Sequence, residues 1–308
     1  MITTVSLNPS VDRRYMIDDF EKGNIFRTSS YEATAGGKGL NVTRVVSSLG
    51  GEVLATGLLG GNSGEFIEKR LDEANLSHDF LKIEGETRSC IAIVSEGTVQ
   101  TEILESGPTV SNHNIEQFLN HYKNLVEKSS VIVASGSVLP GIPKTVYADM
   151  IIIAKENGIP FLLDTSGLPL KEGIKAGPTL IKPNHEELEA LVGEELSTED
   201  DLIRAGKALT KYGIQYVVIS LGGDGAIVLS GDQQFRVRLP KVEVKNPVGS
   251  GDSMVAGFAV GLARGYDLIQ TIKLACAAGT ANAQEEGTGS VKEECVLGLM
   301  SEIVVERI

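Results

Sequence analysis

Asn246-Pro247-Val248-Gly249-Ser250-Gly251-Asp252-Ser253 is a glycine-rich turn that runs directly into an apolar helical pattern. Val255, Phe258, Ala259 and Leu262 recur at i, i+3, i+4 and i+7, which predicts a helix with one apolar face. Gly249 and Gly251 permit a tight turn whose backbone N–H groups no side chain obstructs. The first N–H groups of a helix lack intrahelical partners, and with the helix dipole they attract an anion. Asp252 stands in the same turn. A carboxylate there would repel the anion unless a proton or a metal changes hands. The combination suits phosphoryl transfer: amides stabilise phosphate charge while the carboxylate takes a proton from an attacking hydroxyl. A plain helix start, with Asp252 favoured by the dipole, accounts for the same residues.

A second cluster shifts the balance. Ala35-Gly36-Gly37-Lys38-Gly39-Leu40-Asn41-Val42-Thr43-Arg44 also opens a helix. Its apolar face is Val42, Val45, Val46 and Leu49, and Gly50-Gly51 ends it. Here a lysine stands beside the converging amides. A turn with a solvated lysine would explain this cluster alone. Two such helix starts, one with a cation and one with a carboxylate, rarely coincide by chance.

Gly36-Gly37-Lys38-Gly39-x-Asn41 resembles the first signature of the ribokinase-like (PfkB) carbohydrate kinases, and Gly249-Ser250-Gly251-Asp252 resembles the second. The resemblance runs from Ser6-Leu7-Asn8-Pro9 to Asn282-Ala283-Gln284-Glu285. Within the family the nearest pattern is the branch of tagatose-6-phosphate kinase and 1-phosphofructokinase. The stretches 85–93 and 101–108 look most like tagatose-6-phosphate kinase. The resemblance implies an α/β fold: a three-layer α/β/α domain over 1–308, with a mostly parallel central sheet. It also implies a small β-sheet lid from inserted segments near 10–34 and 86–107, which in related kinases often makes a dimer contact.

Composition is consistent with that picture. A chain of 308 residues, 42% hydrophobic, can bury a large core. The net charge of −13 argues against nucleic acid as a partner, because phosphate backbones are held by Lys and Arg. An anionic substrate would therefore need local cations, for which Arg27, Lys38 and Arg88 are candidates. Residues 1–7 read as a first strand, not a leader, and no apolar run is long enough for a membrane span. Cys90, Cys276 and Cys295 lack metal-site spacing, and reduced thiols in a cytoplasmic protein are the economical reading.

Strand-like runs at 130–134, 160–164, 179–182 and 216–220 alternate with helical patterns such as 146–156 and 199–212. That alternation predicts a parallel sheet covered on both faces, with its site at the carboxyl ends of the strands. Asp164, Lys182, Asn184 and Leu221-Gly222-Gly223 fall there. The first third differs. Residues 11–20, 29–34, 90–95 and 99–104 read as strands, the last two joined by a turn at Glu96-Gly97. Ile91, Ile93, Val99 and Ile103 alternate along this hairpin and could cover a site or a partner subunit.

Asn184 and Glu187 have capping-box spacing, although the usual box starts with Ser or Thr. The resemblance adds an N-x-x-E role in handling Mg²⁺ and phosphate, through water for a metal that keeps much of its hydration shell. It also implies a nucleotide loop with Ser220, Gly222 and Gly225, with Lys182 near the ATP phosphates and Asn282 near the adenine. Asp12, Gly37 and Asn41 become sugar ligands, Ser137 closes that pocket, and Arg27, Lys38 and Arg88 hold a phosphate already on the substrate. Asp252 becomes the general base and Gly249, Ser250 and Gly251 the anion hole. Many relatives carry Asp-Thr where this chain has Asn246-Pro247, which puts activation by a monovalent cation in doubt.

The reading is an ATP-dependent kinase of a ketohexose phosphate, with tagatose 6-phosphate as substrate. The rival within the class is 1-phosphofructokinase. A nucleotide- or sugar-phosphate-binding regulator without turnover would have no need of Asp252 as a base. No G-x-x-x-x-G-K-[ST] occurs, which leaves a P-loop enzyme without its motif.

Overall fold

A computed structural model describes residues 1–95 and 99–308. The predicted turn at Glu96-Gly97 and the side chain of Val99 lie outside the described residues. In chain order the first elements are β1 (Ile2–Ser6), β2 (Ser10–Met16), β3 (Tyr31–Gly36), α1 (Lys38–Ser48), β4 (Val53–Leu59), α2 (Gly61–Glu73), β5 (Ser77–Lys82), β6 (Ser89–Ser95) and β7 (Val99–Leu104). Then follow α3 (Asn112–Val126), β8 (Val131–Ser135), α4 (Val146–Glu156), β9 (Phe161–Asp164), α5 (Gly167–Lys175), β10 (Leu180–Ile181), α6 (His185–Val192) and α7 (Glu199–Thr210). The chain ends with β11 (Tyr216–Ser220), β12 (Ala226–Ser230), β13 (Gln233–Arg238), α8 (Ser250–Ala263), α9 (Leu268–Ala283), α10 (Glu293–Glu302) and β14 (Val304–Arg307).

The main sheet has the order β14-β13-β12-β11-β10-β9-β8-β1-β4-β5. Pairing is parallel from β11 to β5 and antiparallel across β12, β13 and β14. Side chains alternate across it, as a pleated strand requires. On β8, Val131 and Val133 join one core, and Ile132 and Ala134 join the other. Residues of α1, α2, α8, α9 and α10 fill the first core; residues of α3 to α7 fill the second. This is the three-layer, mostly parallel α/β architecture that the resemblance implies. Among the described residues, no helix is long and apolar enough to cross a membrane.

Several sequence expectations need adjustment. The first third supplies more to the main sheet than a first strand: β4 and β5 join β1 there. The strand predicted at 11–20 ends at Met16, and the one at 179–182 shortens to two residues. The helix predicted at 199–212 ends at Thr210. The helix after Asp252 is buried on every side, from Asp252 to Gly261, not on one face. Its period was hidden because glycine and alanine also pack. At Gly257 an added Cβ would lie 2.5 Å from Ala275 Cα, so the missing side chain brings α9 against α8.

The second sheet has the order β3-β2-β6-β7. Its register aligns Asp12 with Cys90 and Cys90 with Leu104, while Arg13 aligns with Ile91 and Ile91 with Ile103. Alternation therefore sets the isoleucine stripe on the face opposite Asp12.

One backbone contact sets how closely β1 and β4 approach. Gly57 pairs with Ser6 and has φ +147°, and an added Cβ would lie 1.8 Å from the Ser6 carbonyl oxygen. Gly57→Ala is expected to destabilise the protein by about 2–5 kcal/mol, combining strain and overpacking. Urea unfolding measures this; a loss under about 1 kcal/mol would show that β1 and β4 are not so tightly apposed.

Candidate active site

A cleft of 1810 Å³ runs between the second sheet and the loops after β10 and β11. Asp12, Arg88 and Cys90 line one side; Lys182, Ser220 and Asp252 line the other. Strand ends and helix starts meet here, as expected for a parallel sheet.

Helix α8 begins in the open. Gly249 precedes it with φ +86°, a left-handed conformation that suits glycine. The Ser250 N–H donates to the Pro247 carbonyl at 3.2 Å. Among the described residues no acceptor takes the N–H of Gly251 or Asp252. Those two amides can bind an anionic oxygen from the cleft.

Asp252 is only 5% exposed, and its Oδ2 accepts a 2.7 Å hydrogen bond from Asn41 Nδ2. Burial, and then the Asp164 carboxylate, push its pKa up to about 6. Lys38, Asn41 and Lys182 hold it from rising further. A carboxylate tuned to that range can take a proton near neutral pH and release it again.

Asp164, at the end of β9, lies between two lysines. Lys38 Nζ is 3.6 Å from Oδ2 and Lys182 Nζ is 3.5 Å from Oδ1. Burial alone would raise the Asp164 carboxyl, but Lys182 and Lys38 outweigh it and hold it below its usual value. The Asp164 carboxylate in turn holds the Lys38 ammonium well above the ordinary lysine range, against burial. Among the described residues neither Asp164 oxygen makes a hydrogen bond, so the ion pairs alone compensate its burial. Lys182 also reaches the start of α8: a Cβ on Gly251 would lie 3.0 Å from its Nζ. Lys38 therefore belongs with Asp164 and Lys182.

On the second sheet, Ser10 Oγ donates to Asp12 Oδ1 at 2.6 Å. Burial raises the Asp12 carboxyl, opposed by Ser10, Arg44 and Arg88. Arg88 donates through Nε to the Asn8 carbonyl at 3.2 Å and through a terminal nitrogen to the Glu105 carbonyl at 3.0 Å. Gly37, the residue before α1, lines the same cleft.

Three expected residues stand elsewhere. Arg27 is exposed in the connection between β2 and β3 and does not line the cleft, so the three cations do not converge. Ser137 also lies outside the lining; its Oγ accepts from Asn8 Nδ2 at 3.1 Å. Asn282 is fully buried rather than beside an open base site. Its Nδ2 donates to the Val248 carbonyl at 2.9 Å, and its Oδ1 accepts from the Gly289 N–H at 2.9 Å. It clasps the turn before α8 to the loop after α9. Nothing local in the sequence distinguishes that task from ligand contact.

Further along the cleft, Asn184 and Glu187 form a full capping box: Glu187 N–H donates to Asn184 Oδ1 at 2.7 Å, and Asn184 N–H donates to Glu187 Oε2 at 3.0 Å. Ser220, Gly222 and Gly225 also line the cleft. Beyond them Leu239, Val242, Val244, Gly279 and Ala283 make an apolar wall suited to a flat base. Sequence reading missed this wall; short apolar residues at 239, 242 and 244 and small residues in α9 were its only signal.

Among the described residues no group of three His, Cys, Asp or Glu could hold a metal. Glu187 offers a single carboxylate, which fits Mg²⁺, a metal that keeps waters and leans on substrate phosphates. Asn246 stands where the resemblance leads one to expect an acid. Its Nδ2 donates to the Glu286 carbonyl at 3.0 Å, a link an acid cannot make without a cation.

A family model described as pfkB family carbohydrate kinase matches residues 5–295. A Staphylococcus aureus protein assigned provisionally as a phosphofructokinase is 32% identical, with a TM-score of 0.87 covering 100% of this chain and 99% of that one. The phosphofructokinase-2 of Escherichia coli, in complex with potassium, is 28% identical with a TM-score of 0.91, covering 98% of each chain. A Thermotoga maritima protein described provisionally as a 1-phosphofructokinase is 28% identical with a TM-score of 0.90, covering 100% and 99%. The E. coli protein also has a tetrameric inhibited form.

The raised Asp252 pKa sets a stability window. The group's neutral form is favoured in the fold, so its contribution is fully present below pH 3.8 and is lost as pH rises to about 6. Asp252→Asn, which stays neutral, is therefore expected to be about 1–3 kcal/mol more stable than wild type at pH 7 and equal to it near pH 4. Chemical denaturation at both values checks this. A variant less stable at pH 7 would mean that Asp252 is not held against its charge.

Proposed function

Because the chain belongs to the pfkB family of carbohydrate kinases, we propose that it transfers the γ-phosphoryl group of ATP to a hydroxyl of a ketohexose phosphate, tagatose 6-phosphate above all. The observation that carries the reading is Asp252: a buried carboxylate, tuned to about 6, at a helix start with two open amides. Pure binding has no use for that arrangement.

The sugar phosphate enters on the side of Asp12 and Arg88. Asp12 accepts hydrogen bonds from sugar hydroxyls, and Arg88 draws the phosphate already present. ATP lies along Ser220, Gly222 and Gly225 with its base on the apolar wall. Mg²⁺, held through Glu187 and Asn184, would neutralise charge on the phosphates. Asp252 takes the proton of the attacking C1 hydroxyl. The oxygen bonds to the γ-phosphorus as the bond to the β,γ-bridging oxygen breaks. The Gly251 and Asp252 amides, with Lys182 and Lys38, stabilise charge on the transferring group. Products are ADP, tagatose 1,6-bisphosphate and a proton that Asp252 returns to water. The stretches 85–93 and 101–108 support tagatose 6-phosphate. The phosphofructokinase names of the relatives favour fructose phosphates as a second reading.

Two measurements test this. Asp252→Asn is expected to lose about 10²- to 10⁴-fold in kcat while ATP still binds. Wild type is expected to consume ATP fastest with tagatose 6-phosphate in a panel that includes fructose 6-phosphate, fructose 1-phosphate and free ketohexoses. Preference for a free ketohexose would overturn the phosphate assignment, and preference for a fructose phosphate would select the second reading.

The Asn246 link also supports turnover without a monovalent cation. Rates in potassium and in tetramethylammonium at equal ionic strength are expected to agree within about twofold, below the ~0.6 kcal/mol that RT represents. A tenfold gain with potassium would refute that independence.

A further inference from the structure

A carboxamide has nearly the same shape either way round, and only its partners decide which end faces a neighbour. Asn41 is 6% exposed and presents its NH₂ to Asp252. Its other end, Oδ1, accepts from the Arg44 guanidinium. A guanidinium is donor only, so the carboxamide oxygen must face Arg44 and the NH₂ must face the carboxylate. Reversed, Asn41 would set an oxygen against Asp252 and a donor against a donor.

Arg44 is itself fixed from two further directions. It donates to the Ala35 carbonyl at 2.7 Å and to the Thr288 carbonyl at 3.1 Å. Ala35 lies at the end of β3, and Thr288 lies in the loop after α9. Behind Asn41, a Cβ on Gly289 would come within 2.7 Å of the Asn41 Cβ, so the same loop packs on the carboxamide. One cation thus joins the second sheet, the loop after α9 and the carboxylate.

We propose that Arg44 is a positioning residue that acts through Asn41, fixing the carboxamide so that its N–H holds the Asp252 carboxylate in place. The proposal rests on the reading of Asp252 as the base. The charged groups acting on Asp252 are Asp164 at the end of β9, Lys38 and Arg44 of α1, and Lys182 after β10. From α9, Cys276 lines the cleft with its thiol pushed up to about 12 by burial, and so stays neutral. Glu286 lines the cleft from the loop after α9. Loss of the Asn41 donor or of the Arg44 charge therefore moves the Asp252 pKa in one direction, upward.

The test is a double-mutant cycle on the full-length protein with ATP, Mg²⁺ and the best sugar phosphate. Arg44→Met and Asn41→Ala are each expected to lower kcat about 10- to 100-fold, the size of a lost hydrogen bond to a charged group. Each is expected to move the acid limb of the kcat/KM profile to higher pH. In the Asn41→Ala background, Arg44→Met should cost less than about twofold more. Arg44→Lys, which keeps the charge and one donor, should retain more kcat than Arg44→Met and keep the acid limb near wild type. It also carries the cycle if Arg44→Met does not fold. A full Arg44 loss that persists without Asn41, or an acid limb that stays in place, overturns the proposal. Near-normal turnover by Asp252→Asn would instead overturn the reading of the base beneath it.

Discussion

The interaction on which the rest depends is a buried carboxylate at the open start of a helix that is itself buried on all sides. Asp252 has no solvent to carry its charge, and the unprotonated form is costly there. The fold tolerates it through a donor from Asn41 and the positive charges of Lys38 and Lys182. Tight apposition of α8 and α9, permitted by Gly257, fixes the helix that carries it. Stability spent on that carboxylate is what leaves a group able to accept a proton near neutral pH.

The same arrangement explains how a chain with net charge −13 can accept two anionic substrates. Lys38, Lys182 and Arg88 all line the cleft. Asp164, a carboxylate with no other partner among the described residues, draws Lys38 to one oxygen and Lys182 to the other. Removing water from such a cluster strengthens each interaction in it. Arg88 stands on the opposite wall, tethered to the second sheet by two carbonyls. In the proposed mechanism, positive charge is thus divided between a transfer centre and a substrate side.

Much of this was legible because it is local. A glycine-rich turn followed by periodic apolar residues predicts a helix start, and α1 and α8 begin at the two turns so marked. Strand and helix alternation exposed the parallel sheet and put Asp164, Lys182 and Asn184 at its carboxyl edge. What stayed hidden depends on crossovers. The Lys38–Asp164–Lys182 grouping joins α1 to the ends of β9 and β10, whose spacing in sequence carries no signal of contact. Arg27 looked like a third cation, yet the β2–β3 connection leaves it in solvent. Asn282 looked like a ligand, and tertiary packing turned it into a clasp. The face of the hairpin isoleucines was set by strand register, which alternation alone leaves undecided by one residue.

The most direct test of the central claim is a crystal structure of the protein with Mg²⁺, a non-hydrolysable ATP analogue and tagatose 6-phosphate. The C1 hydroxyl oxygen is expected within about 2.6–3.2 Å of the Asp252 carboxylate. The terminal phosphate is expected against the Gly251 and Asp252 amides, in line with that hydroxyl. A hydroxyl bound away from Asp252, or a terminal phosphate that never reaches the start of α8, would contradict it.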